Sequence, residues 1–168
     1  MRFSLSALAL LASAAAVSAS SVTFWTLDNV TRTVHFTPSE GFNQVNSVTV
    51  NSKKKTKVTF PTDKWKGNFY AIQKGQPNKP GMLGEVNTLD WNGFSYFDVS
   101  AIVRPDDHNN VKQMWPIESK WPMSGCEVWP CDNAYWLWDD VQTKVTTETD
   151  FMVTLGTGTT GIKFAQHK

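Results

Sequence analysis

The chain has 168 residues, 40% apolar and 18% charged, with 10 Gly, 8 Pro and 2 Cys. That length and mix lead us to expect one globular domain, and they exclude a disulfide-dense miniprotein, a collagen-like chain and a wholly disordered one. The formal charge is +1 and falls to zero without Arg2, when 15 Lys+Arg face 15 Asp+Glu, so no specific nucleic-acid partner is expected.

Residues 1–19 read as a signal peptide. Arg2 supplies the positive start, and the apolar run 5–17 is too short to span a bilayer. Val17-Ser18-Ala19 is a small-residue cleavage site. The expectation is a secreted chain whose residues 20–168 form a single domain. Asn29-Val30-Thr31 is then a glycosylation sequon.

Beyond the leader the chain reads as strands. Val22 and Phe24 alternate with polar residues, as do Val34 and Phe36. Val45, Val48, Val50, Val58 and Phe60 continue the alternation. Residues 69–72, 94–102, 151–155 and 162–164 are further runs rich in Val, Phe, Tyr and Thr. Turn formers separate them at Ser39-Glu40-Gly41, at residues 77–81 and at Trp91-Asn92-Gly93. No window holds a helical period long enough to predict a helix. The fold class is all-β, an antiparallel β-sandwich. Residues 104–140 depart from it as an expected irregular loop region, and they hold Trp115, Trp121, Trp129, Trp136 and Trp138. Trp115, Trp121 and Trp129 each lie at or near a proline, which makes them the candidates for exposure, and Trp121 and Trp129 the candidates for surface contact.

In a secreted chain the two cysteines, Cys126 and Cys131, are expected to pair as a small local staple. Its worth is about 2–3 kcal/mol by chain-entropy reasoning. With His35, His108 and His167 scattered and no second Cys pair, no metal site is expected. No Ser-His-Asp set or phosphate-cradling Gly loop occurs, and no cofactor is expected. Asp106-Asp107-His108 reads either as a turn or as part of a divalent-metal nuclease site whose remaining parts are missing.

Charge is segregated. Residues 53–79 hold eight Lys and one acid, Asp63, whereas residues 85–150 hold twelve acids and four bases. The cluster Lys53, Lys54, Lys55 and Lys57 has three readings: a solvated strand edge, a contact for anionic headgroups or wall polymer, or a nucleic-acid contact.

Met82-Leu83-Gly84-Glu85-Val86-Asn87-Thr88-Leu89, followed by Phe94-Ser95-Tyr96-Phe97-Asp98-Val99-Ser100, resembles the paired strands of thaumatin-like proteins. Cys131-Asp132-Asn133-Ala134-Tyr135 and the later Asp139-Asp140 are similar to a further stretch of that family. Over nearly the whole mature chain the sequence resembles a fungal group within it, secreted hypersensitive-response-inducing proteins that carry the label "DNase1 protein". The residues are Ser21-Val22-Thr23-Phe24, the run 31–38, residues 80–86 and 96–103, Ser124-Gly125-Cys126 and residues 139–144.

The resemblance implies a thaumatin-like β-sandwich released by a fungus and perceived by plants as an elicitor, acting on a plant cell-surface or membrane component as a monomer. It also implies a cleft built on Glu85 and Asp98. The arginine signature of that cleft is absent, and its third carboxylate would shift to Asp106 or Asp107. The pair therefore reads either as a polar binding site or as an acid–base pair for a β-glucan bond.

Overall fold

A computed structural model describes residues 19–164, so the expected signal peptide lies, but for Ala19, outside the described residues. The predicted alternation becomes β1 (Ser21–Thr26), β2 (Arg32–Pro38), β3 (Val48–Val50), β4 (Thr56–Thr59), β5 (Lys66–Gln73), β6 (Leu83–Asn87) and β7 (Ser95–Ser100). Then come β8 (Val111–Pro116), β9 (Ser124–Gly125), β10 (Lys144–Thr146) and β11 (Asp150–Leu155). They form two sheets, ordered β4-β1-β11-β8-β9 and β10-β7-β6-β5-β2-β3. The expected all-β sandwich is the fold.

Each sheet turns one apolar face inward. Arg32, Val34 and Phe36 of β2 are buried while Thr33 and His35 between them are half-exposed, the two-residue period of a strand with one face on a core. Phe69 and Ala71 of β5, Phe97 and Val99 of β7, and Phe151, Val153 and Leu155 of β11 complete the two layers. Aromatic edges tie the sheets together. The Phe24 ring meets the Phe69 ring edge-on at 5.3 Å, and Phe97 meets Phe151 at 4.9 Å. Trp65 stacks on Phe60 at 4.4 Å, and its indole N–H donates to the Asn43 carbonyl. Phe69 lies directly over Gly84, its partner across β5 and β6, where any Cβ would strike the ring.

Three features differ from the sequence reading. β1 and β11 pair in parallel, so the sandwich is antiparallel except where its first and last strands meet. The segment 104–140 is not irregular throughout, because β8 and β9 extend the five-stranded sheet through it. All six residues of β8 are buried, so the strand has no polar phase to betray it. Residues 162–164 form no strand. Trp91–Gly93 is the expected turn between β6 and β7, in 3₁₀ form.

Cys126 and Cys131 form a disulfide. It lies just beyond β9, and the Cys126 N–H donates to the Lys112 carbonyl at 2.9 Å, which fixes the bridged loop to β8.

Candidate functional site

The register of β6 and β7 sets Glu85 directly opposite Asp98. Val86 and Phe97 face the core, so the residues in the alternate phase, Glu85 and Asp98, face outward. Asn68 of β5 is in register with Glu85 on its other side. The result is a polar row across the outer face of the six-stranded sheet. Thr143, just before β10, extends it by hydrogen-bonding Asp98. Ser39, Lys66, Asn68, Tyr96 and Thr143 join the two acids around a groove of about 240 Å³.

The pair is electrostatically strained. Burial pushes the Asp98 carboxyl up, and the negative charge of Glu85 and a hydrogen bond to it push further, to about 8, against Lys144 and Thr143. Burial also raises Glu85, which the hydrogen bond from Asp98 partly offsets. Two like carboxyls this close cannot both ionise cheaply, so at neutral pH Asp98 keeps its proton and donates it to Glu85. The Asp98 Oδ1 is buried and has no hydrogen-bond partner among the described residues.

Asp106 and Asp107 are not part of this groove. Asp106 is exposed and pairs with Arg104 at 3.3 Å. Asp107 is buried, accepting from the Met82 N–H at 3.0 Å and from the Asn110 amide at 2.6 Å. Both line a separate pocket that shares no residue with the groove. The insertion after β7 carries them past the end of the sheet, so the third carboxylate expected in the cleft is not there.

The surface candidates divide. Lys53, Lys54, Lys55 and Lys57 are all exposed, on the turn after β3 and on β4, the edge strand of the five-stranded sheet. Lys55 holds its ammonium 3.9 Å over the Trp25 ring, and Lys57 pairs with Asp150 at 3.6 Å. Trp121 is 38% exposed and lines a groove of about 840 Å³ beside the disulfide, with Val128 and Phe164. Trp129 and Trp115 are buried, at 9% and 2%, which corrects the expectation of exposure. Trp129 packs edge-on against Trp136 at 5.4 Å, since the disulfide loop folds it inward. Asn29 lies exposed between β1 and β2, its amide oxygen accepting from Ser52 at 3.3 Å.

Sequence reasoning missed Arg32. Its guanidinium is fully buried and makes a two-point ion pair with Asp28, at 2.6 and 2.8 Å. It also donates to the Asn110 amide oxygen at 3.1 Å and the Asn109 carbonyl at 2.7 Å. The signal was present: Arg32 is in phase with Val34 and Phe36, the inward-facing residues of β2.

No family model matches the sequence. The antigenic protein SchS21 of Stachybotrys chartarum is 60% identical over 144 residues, covering 86% of this chain and 99% of that protein. The crystal structure of the protein elicitor MoHrip2 from Magnaporthe oryzae matches with a TM-score of 0.59 over 82% of this chain and 99% of that one. The two sequences are 14% identical, so that likeness is one of fold. With more than half its residues identical along almost the full length of SchS21, the chain belongs to the family of that fungal antigenic protein.

Proposed function

We propose that the protein is a secreted fungal elicitor, perceived at the plant cell surface and inducing hypersensitive cell death and defence responses without catalysing a reaction. The observation that carries this reading is the fold in common with a protein elicitor. Kinship with an antigenic protein is consistent with it. The disulfide suits an oxidising, extracellular compartment. The thaumatin-like affiliation belongs to the same proposal and rests on the motif at residues 82–100.

The geometry of the acid pair supports a non-enzymatic role. A glycosidase needs its two carboxyls on either side of the scissile bond, about 5–5.5 Å apart for retention and farther for inversion. Here the two carboxyls face each other in register on adjacent strands and lean on one another electrostatically, which favours a shared-proton pair over two independent catalytic groups. Binding of β-glucan along the polar row is a second reading, favoured by Tyr96 and Asn68 beside the pair.

The deciding experiment is infiltration of purified protein into leaves, scored for cell death and oxidative burst. Native protein and the folded Glu85→Gln, Asp98→Asn double variant are expected to act at similar doses. An inert double variant, together with reducing-sugar release from β-1,3-glucan by native protein, overturns the non-enzymatic reading. A native protein that provokes no response overturns the elicitor reading itself.

A further inference from the structure

A second polar pocket lies where the end of β5 meets the insertion after β7. It encloses about 420 Å³, within the range of small-ligand sites. Gln73, Gln76, Lys79, Arg104, Asp106 and Asn109 line its walls, and the buried Asp107 and Asn110 its floor.

The floor is held rigidly. Arg32, itself anchored by Asp28, donates from Nε to the Asn110 Oδ1 at 3.1 Å. Asn110 passes the order on through Nδ2 to Asp107 Oδ1 at 2.6 Å, and Asp107 Oδ2 accepts the Met82 N–H. Gly81 lets this carboxylate approach the chain, because a Cβ there would collide with Asp107 Oδ2. Burying an ion pair and two polar side chains is poor stabilisation compared with an apolar core. What the network does achieve is to fix the positions of Asn109, Asn110 and Asp107 relative to Gln73 on β5.

In the walls Arg104 and Asp106 pair with each other, but the amides and Lys79 do not. The side chains of Gln73, Gln76, Lys79 and Asn109 make no hydrogen bond among the described residues. Charge in the pocket balances, Lys79 and Arg104 against Asp106 and Asp107, so neither an anion nor a cation is favoured. Three free amides each offer a donor and an acceptor side by side, and carboxylates and cations flank them. A sugar hydroxyl also donates and accepts at one atom. We infer that this pocket, separate from the Glu85–Asp98 groove, binds a neutral polyhydroxylated ligand, a mono- or disaccharide unit, through its amide and charged walls.

The test is titration of ¹⁵N-labelled protein, followed by amide chemical shifts, with glucose, N-acetylglucosamine, mannose and their β-linked disaccharides at millimolar concentration. The expected result is saturable shifts confined to residues 73–79 and 104–110 with at least one sugar. Gln73→Ala and Asn109→Ala should each weaken that binding about 3- to 10-fold, the worth of one or two hydrogen bonds. Glu85→Gln should leave it unchanged. Asn109 is exposed on a loop, so its variant stays informative if the β5 variant misfolds. Shifts confined to the Glu85–Asp98 groove, or no saturable shift with any sugar, overturn the inference. Saturable shifts with inorganic phosphate alone make the pocket an anion site and overturn it as well.

Discussion

Asp98 and Glu85 share one proton across adjacent strands, and Asp98 holds it to about pH 8. The unfolded chain releases the same proton near pH 4. Between these values the folded state binds more protons than the unfolded one, so stability falls as pH rises through that window. Asn mimics the protonated carboxyl. Asp98→Asn is therefore expected to raise the melting temperature by several degrees at pH 8 and to change it little at pH 4. Melting curves at the two pH values check this; equal effects at both would mean that Asp98 is not held protonated.

Arg32 is fully buried and bonds to Asp28, Val30, Asn109 and Asn110, so removing its counter-charge strands a buried cation. Asp28→Asn should cost about 3 kcal/mol, in the range for breaking a buried pair. Burial pushes the Asp28 carboxyl up, but hydrogen bonds from Arg32 and the Val30 N–H and the Arg32 charge bring it below the usual range. A depressed carboxylate stabilises above its unfolded pKa and loses that contribution as pH falls through its folded value. The penalty of Asp28→Asn should therefore shrink in strong acid. Urea unfolding at neutral and acid pH measures it, and a constant penalty would contradict the ion-pair account.

Replacing Cys126 and Cys131 by Ser removes a staple worth about 2–3 kcal/mol by loop-entropy reasoning. The bridged loop carries Trp129 against Trp136, and its backbone is tied to the sheets at its two ends, through Cys126 to the Lys112 carbonyl and through Asn133 and Tyr135 to Gly125 and Val99. Hydrogen exchange should quicken in residues 126–136 well before it does in β1, β5 or β11. Uniform loss of protection would show that the bridge holds the sandwich as a whole.

The strands legible in the sequence were those with one wet face. β2, β5 and β6 each alternate, and the acid pair follows from phase and register, since Glu85 and Asp98 face away from the core residues Val86 and Phe97. β8 was illegible because neighbours on both faces bury Lys112 and Gln113 along with Val111 and Met114. Burial pushes the Lys112 ammonium down, and it finds the His108 carbonyl at 3.0 Å. Trp129 was misread for a related reason. A proline neighbour marks a turn, but a disulfide decides which way that turn folds. The parallel meeting of β1 and β11 is a contact between the two ends of the domain, which no local pattern encodes.

The lysine cluster yields the last prediction. Lys53, Lys54, Lys55 and Lys57 project from an edge strand and its approach turn, where positive charge also deters edge-to-edge pairing. Lys55 is anchored on Trp25 and Lys57 on Asp150, so the patch presents a defined shape rather than four free arms. If plants perceive the folded surface, charge reversal here should weaken the response more than neutralising the groove acids does. The quadruple Lys→Glu variant is expected to need at least tenfold more protein for the same oxidative burst. Its melting temperature should fall by only a few degrees, because the contacts it loses, Lys55 over Trp25 and Lys57 with Asp150, lie at the surface. Trp121→Ala, at the disulfide groove on a separate stretch of chain, tests whether the contact extends beyond the lysines. Full activity of the quadruple variant would remove the edge from the perceived surface. Full activity of heat-unfolded or proteolysed protein would mean that a linear segment is read, and the folded patch would then have no part in perception.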